Sequence, residues 1–177
     1  MKTIVGVVMF LFSTAFFYPA DIEEIPWSEA RLLTYADFKG EIPGETSWAA
    51  LTSSYVYFTY GTTNGKLSSY KVYAAFRKNE SWMKVKNAAV LSHEQLHFNL
   101  TEIYTRKLYQ QLADLQKETA NVPEKAKSMF QRINATCDSV QKQYDSQTEH
   151  GTLEDEQAEW KKKTDSLLKL YPPYPQQ

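Results

Sequence analysis

Residues 91–98 read Leu-Ser-His-Glu-Gln-Leu-His-Phe and contain an H-E-x-x-H box. On an α-helix, residues four apart lie on the same face, so His93 and His97 can direct two imidazole nitrogens at one point in space. A catalytic zinc site takes three protein ligands and leaves its fourth position to water. Glu94, one residue further round the helix, is then placed to accept a proton from that water. The box therefore predicts a helix with a zinc site on one face.

The third zinc ligand has several candidates. The chain holds three histidines, and the one outside the box, His150, is the first choice because a neutral imidazole suits zinc. Its alternative role is that of an exposed histidine capping a helix end. The rival ligands are Glu154, from a following helix, and Glu102, on the helix of the box. Glu102 is rotated off the histidine face, so an ion pair with Arg106, four residues on, is the favoured interpretation.

Other polar side chains are candidates for supporting roles. Asp145 is expected to accept the free N–H of a ligating histidine, with a solvated acid at a helix end as the alternative. Tyr144, Tyr104 and Arg106 are candidates to polarise a substrate carbonyl, although packing would explain them equally well. Cys137 is the only cysteine, which excludes a disulfide framework and a cysteine-based zinc site. Its position on an apolar helical stripe predicts a core residue and not a nucleophile.

The composition is that of one ordinary domain and gives no electrostatic footprint for nucleic acid. The 177 residues are enough for a proper core, and 20 basic against 21 acidic side chains leave a formal net charge of -1. Twelve Tyr, nine Phe and four Trp predict a core or binding surfaces rich in rings.

The first twenty residues have the pattern of an export signal. Lys2 provides a short positive start, and residues 4–12 form an apolar run that is too short to span a bilayer comfortably. Ser13 and Ala15 suit a small-residue cleavage site, and Ala20 is a second possibility. The alternatives are a buried N-terminal strand or an uncleaved anchor. We expect a signal peptide over residues 1–20 and a single domain over residues 21–177, located outside the cytoplasm.

Hydrophobic periodicity predicts an α+β fold. Residues 54–60 and 69–77 have strand character, and the Asn64-Gly65 turn between them predicts an antiparallel hairpin directly before the box. Three long helices are expected to follow, the first over residues 87–118 and carrying the box, the second ending near Gln147 and the third ending at Leu168. A further short strand is expected over residues 31–35.

The predicted elements place His150 at a corner. Gly151 is a typical helix stop, so the histidine before it falls between the second and third helices. Antiparallel neighbouring helices would bring this corner back alongside the early part of the first helix, where the box lies.

Two motif-bearing segments carry a family resemblance. They are residues 91–106, Leu-Ser-His-Glu-Gln-Leu-His-Phe-Asn-Leu-Thr-Glu-Ile-Tyr-Thr-Arg, and residues 144–151, Tyr-Asp-Ser-Gln-Thr-Glu-His-Gly, followed by Gln157 and Trp160. With them the chain resembles the bacterial domain-of-unknown-function 922 family, described as predicted secreted zinc-dependent proteases. Residues 33–40, Leu-Thr-Tyr-Ala-Asp-Phe-Lys-Gly, are similar to the family's opening motif, with Tyr35 where a Trp is more usual.

The resemblance covers most of the mature chain. It implies a small zincin-like fold in which an N-terminal antiparallel hairpin or sheet packs on a bundle of three helices. It also implies that His93, His97 and His150 bind zinc and that Glu94 is the general base.

The expected function is that of a secreted zinc metallopeptidase. Glu94 would remove a proton from a zinc-activated water and later deliver it to the leaving amine, while an extended peptide substrate lies along a strand edge of the hairpin. Two alternatives remain open: a secreted binding module that keeps zinc for structure, and a zinc hydrolase that acts on cell-wall peptides or amides. We expect no nucleic-acid partner and no membrane span in the mature chain, and the oligomeric state stays open.

Overall fold

A computed structural model describes residues 23–175 of the 177-residue chain. The predicted signal peptide over residues 1–20 lies outside the described residues. Within residues 23–175, no helix combines the length and the apolar character needed to cross a membrane.

The predicted hairpin is confirmed and is longer than expected. Strands β3 (Ser54–Thr63) and β4 (Lys66–Arg77) pair antiparallel, with Tyr57 opposite Tyr73. The turn between them has positive φ at Asn64 (53°) and Gly65 (74°), as a two-residue turn with the twist of the flanking strands requires. Strand β1 (Glu24–Pro26) pairs with the other edge of β4, so the sheet order is β1-β4-β3.

A second, two-stranded sheet was not anticipated from the sequence. It pairs β2 (Ala50–Leu51) with β5 (Trp82–Met83). Directly after β2, the Thr52 hydroxyl donates a hydrogen bond to the backbone carbonyl of Glu94 at 3.3 Å. This small sheet therefore connects the N-terminal half of the domain to the helix that carries the box.

Three helices follow the strands, as predicted: α1 (Ala88–Leu115), α2 (Val122–Thr148) and α3 (Glu154–Leu170). The Asn87 side chain begins α1 by accepting a hydrogen bond from the Val90 backbone N–H at 2.8 Å. The α1 helix contacts strands β3 and β4 as well as both other helices, so it is the central element of the fold. The α+β architecture, an N-terminal antiparallel sheet with three helices, is thus confirmed.

The largest core cluster of the described residues lies where α1 meets α2 and the sheet. It buries Leu108, Leu112 and Leu115 of α1 against residues of the second helix and the hairpin, among them Val122, Ala126, Ile133, Val56 and Val72. Cys137 belongs to this cluster, as its place on the apolar stripe predicted.

The predicted strand over residues 31–35 is wrong. Arg31 makes only an isolated bridge with Ser28, and residues Tyr35–Asp37 form a turn of 3-10 helix. The buried Asp37 carboxylate accepts hydrogen bonds from the Thr34 backbone N–H at 2.7 Å, the Thr34 hydroxyl at 2.8 Å and the Arg31 guanidinium at 2.7 Å. These local polar contacts outweigh the strand propensity of the apolar and aromatic side chains, because a short aspartate can bond nearby backbone groups in place of a sheet neighbour.

Candidate metal centre

The two box histidines converge on one carboxylate. His93 and His97 lie one turn apart on α1, and their Nε2 atoms are 3.1 Å from each other. The Oδ1 atom of Asp145, on α2, is 3.1 Å from the His93 Nε2 and 2.9 Å from the His97 Nε2. All three donor atoms fall within 4.8 Å of one another, in an arrangement that could hold a metal ion. Ligand atoms about 2.1 Å from a tetrahedral zinc would be about 3.4 Å apart, so the spacing suits that ion.

Two glutamines fix how the imidazoles are oriented. The Gln141 amide nitrogen donates to the His97 backbone carbonyl at 3.0 Å, so its Oε1 faces the His97 Nδ1 at 2.5 Å. On α3, the Gln157 Oε1 lies 3.1 Å from the His93 Nδ1. An amide oxygen can only accept, so each Nδ1 carries the hydrogen and each Nε2 is left to bind a cation.

The electrostatics of the cluster favour a positive charge between the donors. Burial by itself would raise the pKa of the Asp145 carboxyl, but hydrogen bonds and charge from the His93 and His97 imidazoles, in their protonated form, hold it well below its usual range. Burial by itself would lower the pKa of His97, but the hydrogen bond with Asp145 and the charge of Glu94 raise it overall. Two imidazole nitrogens and a carboxylate oxygen in contact therefore stabilise a cation, either a proton or a metal ion.

Glu94 brings a second carboxylate near the donor group, close enough for its charge to raise the pKa of His97. Glu94 is only 5 % exposed, and its Oε2 atom is buried with no hydrogen-bond partner among residues 23–175. A buried carboxylate oxygen without a partner is costly, so this atom calls for a donor that the described residues do not provide. A water molecule held beside the His93–His97–Asp145 donors would supply one.

His150 lies at the mouth of this centre. It follows the end of α2 in a corner where Glu149, His150 and Gly151 all have positive φ, at 46°, 55° and 83°. Its Nδ1 atom is 3.6 Å from the Asp145 Oδ1, but its side chain is 63 % exposed. The expected return of this corner to the box is thus observed. The compact donor group, however, contains His93, His97 and Asp145 and does not include His150.

The corner packs directly on a box histidine through Gly151. A Cβ atom at this position would stand 2.9 Å from both Cγ and Nδ1 of His93. Such contacts are closer than real side chains tolerate, and the φ of 83° also favours glycine. Gly151 therefore does more than end a helix: it lets the backbone approach the imidazole.

The candidate carbonyl-polarising residues do not face an open site. Tyr144 is fully buried, with its ring stacked on the His93 ring at 4.5 Å, and its hydroxyl donates to the Gln157 Oε1 at 2.7 Å. Tyr104 is 7 % exposed and belongs to the core. Tyr144 therefore helps to position His93, and Tyr104 packs in the hydrophobic core.

The rival ligands also lie outside the compact donor group. Glu102 forms the predicted ion pair with Arg106, at 2.7 Å and with both side chains buried, so Arg106 is likewise committed elsewhere. Glu154 is an exposed residue in the first turn of α3.

The sequence interpretation placed Asp145 outside the metal ligands and did not single out Gln141. A signal for both was present, because Gln141 and Asp145 are four apart on α2 and so share one helix face, as His93 and His97 do on α1. Two such polar pairs on neighbouring amphipathic helices indicate a shared site.

The fold and site define an α+β protein with a His–His–Asp centre that could bind a metal. A comparison with protein-family models matches residues 38–151 to a family described as "Bacterial protein of unknown function (DUF922)". The match covers more than half of the chain, and the chain belongs to this bacterial family. The matched region includes the box, Asp145 and the Gly151 corner. Comparisons with curated proteins and with solved structures found no match.

Proposed function

We propose that this protein is a zinc-dependent metallopeptidase in which His93, His97 and Asp145 hold the metal and Glu94 is the general base. The observation that supports this most directly is the mutual spacing of the three donor atoms beside a buried, unpartnered Glu94 oxygen. Two imidazoles and one carboxylate suit zinc, whereas calcium and magnesium prefer oxygen ligands alone.

His150 is proposed as an additional donor at the mouth of the centre. Three ligands with an open fourth position are typical of a catalytic zinc site, whereas four protein ligands are typical of a structural one. The exposed His150 side chain has its Nδ1 atom 3.6 Å from the Asp145 Oδ1. From there it can either become a fourth ligand or leave the fourth coordination position of zinc to water. We therefore expect His150 to contribute less to zinc affinity than Asp145 does.

The chain's own residues have distinct tasks in this proposal. When bound, zinc supplies a Lewis acid that polarises the scissile carbonyl and lowers the pKa of water. Glu94 takes the proton of the attacking water on its buried oxygen and then delivers it to the leaving amide nitrogen. Gln141 and Gln157 keep the imidazoles in the required tautomer, and the buried ring of Tyr144 excludes water from the inner side of His93.

The setting of the site is part of the same proposal. The apolar stretch at the N-terminus supports export, so the substrate would be a peptide or protein outside the cytoplasm. The box on the central helix, between an antiparallel sheet and two further helices, supports a zincin-like fold.

The test combines metal content with hydrolysis of casein and a mixed peptide library. Zinc-loaded protein should contain one zinc per chain and cleave peptides. Glu94→Gln should keep its zinc and lose about 100- to 10,000-fold in kcat, since it removes only the proton transfer. Glu124→Gln, an exposed glutamate in the first turn of α2, is the matched control and should behave as the unsubstituted protein. Full activity in Glu94→Gln would refute the proposal.

A second candidate is a zinc-binding module without turnover, which the closeness of His150 to Asp145 favours because a fourth ligand would close the site. That function would be established if the protein holds one zinc per chain but does not cleave casein, peptides or purified cell wall. Glu94→Gln should then leave the zinc content unchanged. Cleavage of cell wall but not casein would instead identify a hydrolase of cell-wall peptides or amides with the same centre.

A further inference from the structure

A tryptophan stands over the mouth of the metal centre. Trp48 is 53 % exposed, and its ring is stacked with that of His150 at a centroid distance of 6.3 Å and an interplanar angle of 30°. His150 in turn lies 3.6 Å from the Asp145 Oδ1. Only one side chain therefore separates this exposed indole from the donor group.

The backbone that carries Trp48 is held on both sides. The neighbouring Ala49 carbonyl accepts hydrogen bonds from the backbone N–H groups of Lys84 and Val85, at 2.8 and 3.0 Å. The Trp48 N–H donates to the Thr46 hydroxyl at 3.1 Å, and the Lys84 ammonium donates to the Thr46 carbonyl at 2.9 Å. An exposed aromatic ring on a fixed backbone needs little further ordering when it meets a ligand, which favours a contact role.

Further apolar side chains are exposed along the segments that border this mouth. Val85, whose backbone N–H donates to the carbonyl of the residue after Trp48, is 42 % exposed. Leu153, three residues beyond His150, is 40 % exposed. Large apolar side chains left in solvent next to a polar centre indicate a recognition surface, and tryptophan is prominent among residues that dominate binding energy.

We propose that Trp48 is a specificity-determining residue of this centre and selects ligands with an aromatic or large apolar side chain next to the group that faces the metal. For a peptide substrate, that side chain belongs to a residue adjoining the scissile bond. The inference rests on the proposed function for its substrate class, but the selectivity itself can be measured without turnover.

The direct test compares two zinc-binding probes that differ in one side chain, phenylalanine hydroxamate and alanine hydroxamate, on the zinc-loaded full chain. The unsubstituted protein should prefer the phenylalanine probe, and Trp48→Ala should reduce that preference about tenfold or more, with unchanged zinc content. Trp48→Phe should retain most of it. Tyr60→Ala, which removes a 41 % exposed ring on β3, is the matched control and should leave the preference intact.

Three results would overturn the inference: no preference in the unsubstituted protein, the same preference in Trp48→Ala, or loss of zinc in Trp48→Ala in proportion to the loss of probe binding. The last would show that Trp48 supports the metal centre and does not contact the ligand.

Peptide cleavage then separates this inference from the proposed function. If the enzyme is active, Trp48→Ala should raise KM for peptides with an aromatic residue at the scissile bond and leave kcat nearly unchanged. Cleavage with the same side-chain preference in both proteins overturns the role of Trp48 while the peptidase stands. A Trp48-dependent probe preference without any cleavage supports Trp48 and overturns the peptidase.

Discussion

At the scale of single residues, Gly151 carries the tightest steric constraint at the centre. Its backbone approaches the His93 ring so closely that a methyl group would stand 2.9 Å from two ring atoms, and its φ is 83°. The position of one metal donor thus depends on a residue with no side chain, at the end of a segment in which two non-glycine residues also have positive φ.

We predict that Gly151→Ala lowers zinc affinity by tenfold or more, because the new methyl group must displace the His93 imidazole or the corner itself. The measurement is zinc competition against a chromophoric chelator. Gly44→Ala is the control, since a Cβ atom there meets no described atom within 4 Å. Equal affinities of the two variants would show that the corner does not position His93.

Cys137 gives a prediction of pH dependence. Burial, with the charge of Asp138 nearby, raises the pKa of its thiol from 9.0 to about 12. A folded-state pKa above the unfolded value means that the buried thiol contributes its full stability below about pH 9, and that this contribution is lost as the pH rises through 12.

Alkylation by iodoacetamide measures this directly, because Cys137 is the only thiol and only the thiolate reacts. At pH 9 the native protein should react about 100-fold or more slowly than the protein in urea. Similar rates in the two states would contradict the burial of the thiol.

The helix that carries the box, with His93 and His97 on one face, could be predicted from the sequence because four-residue spacing on a helix is local information. The role of Asp145 could not, since it lies 48 residues from His97 and its distance from the imidazoles depends on how α1 and α2 pack. Sequence spacing also does not show which of two residues, Asp145 or His150, lies closer to the Nε2 atoms of the box histidines.

At the scale of elements, a buried ion pair attaches the C-terminal segment to α1. The Arg106 guanidinium bonds the Glu102 carboxylate at 2.7 Å and donates to the backbone carbonyls of Leu168 and Tyr171, at 2.7 and 2.8 Å. The Tyr174 hydroxyl donates to the second Glu102 oxygen at 3.0 Å. The end of α3 and the chain after it are thereby bonded to the central helix.

We predict that Arg106→Ala lowers the free energy of unfolding by about 3–5 kcal/mol, because it leaves the Glu102 charge buried without its cationic partner. Urea unfolding of the metal-free protein measures it. Arg132→Ala, at an exposed position on α2, is the control and should change stability by less than about 0.5 kcal/mol. A similar small effect of both substitutions would show that the pair contributes little.

The elements themselves were predictable to different degrees. The hairpin follows from alternation and an Asn-Gly turn, and the helices follow from apolar spacing of three and four, so both are encoded locally. The strand predicted over residues 31–35 was wrong because the apolar and aromatic side chains there favour a strand, whereas Asp37 and Thr34 form a polar turn. The pairing of β2 with β5 joins segments about thirty residues apart. Strands of two residues are too short to give a recognisable sequence pattern, so this pairing could not be predicted.

At the scale of the whole molecule, the candidate metal centre lies where all three helices meet. The α1 helix provides two histidines and Glu94, α2 provides Asp145 and Gln141, and α3 provides Gln157. Because these residues come together only in the folded chain, zinc would bind the folded state and not the unfolded one. Zinc binding should therefore stabilise the packing of the three helices.

The proposed peptidase requires zinc to bind between His93, His97 and Asp145. The most direct measurement is anomalous diffraction at the zinc edge from crystals of the zinc-loaded protein. We expect a single peak about 2.0–2.2 Å from both Nε2 atoms and from a carboxylate oxygen of Asp145. A zinc ion bound elsewhere in the chain, or no zinc bound at all, would contradict it.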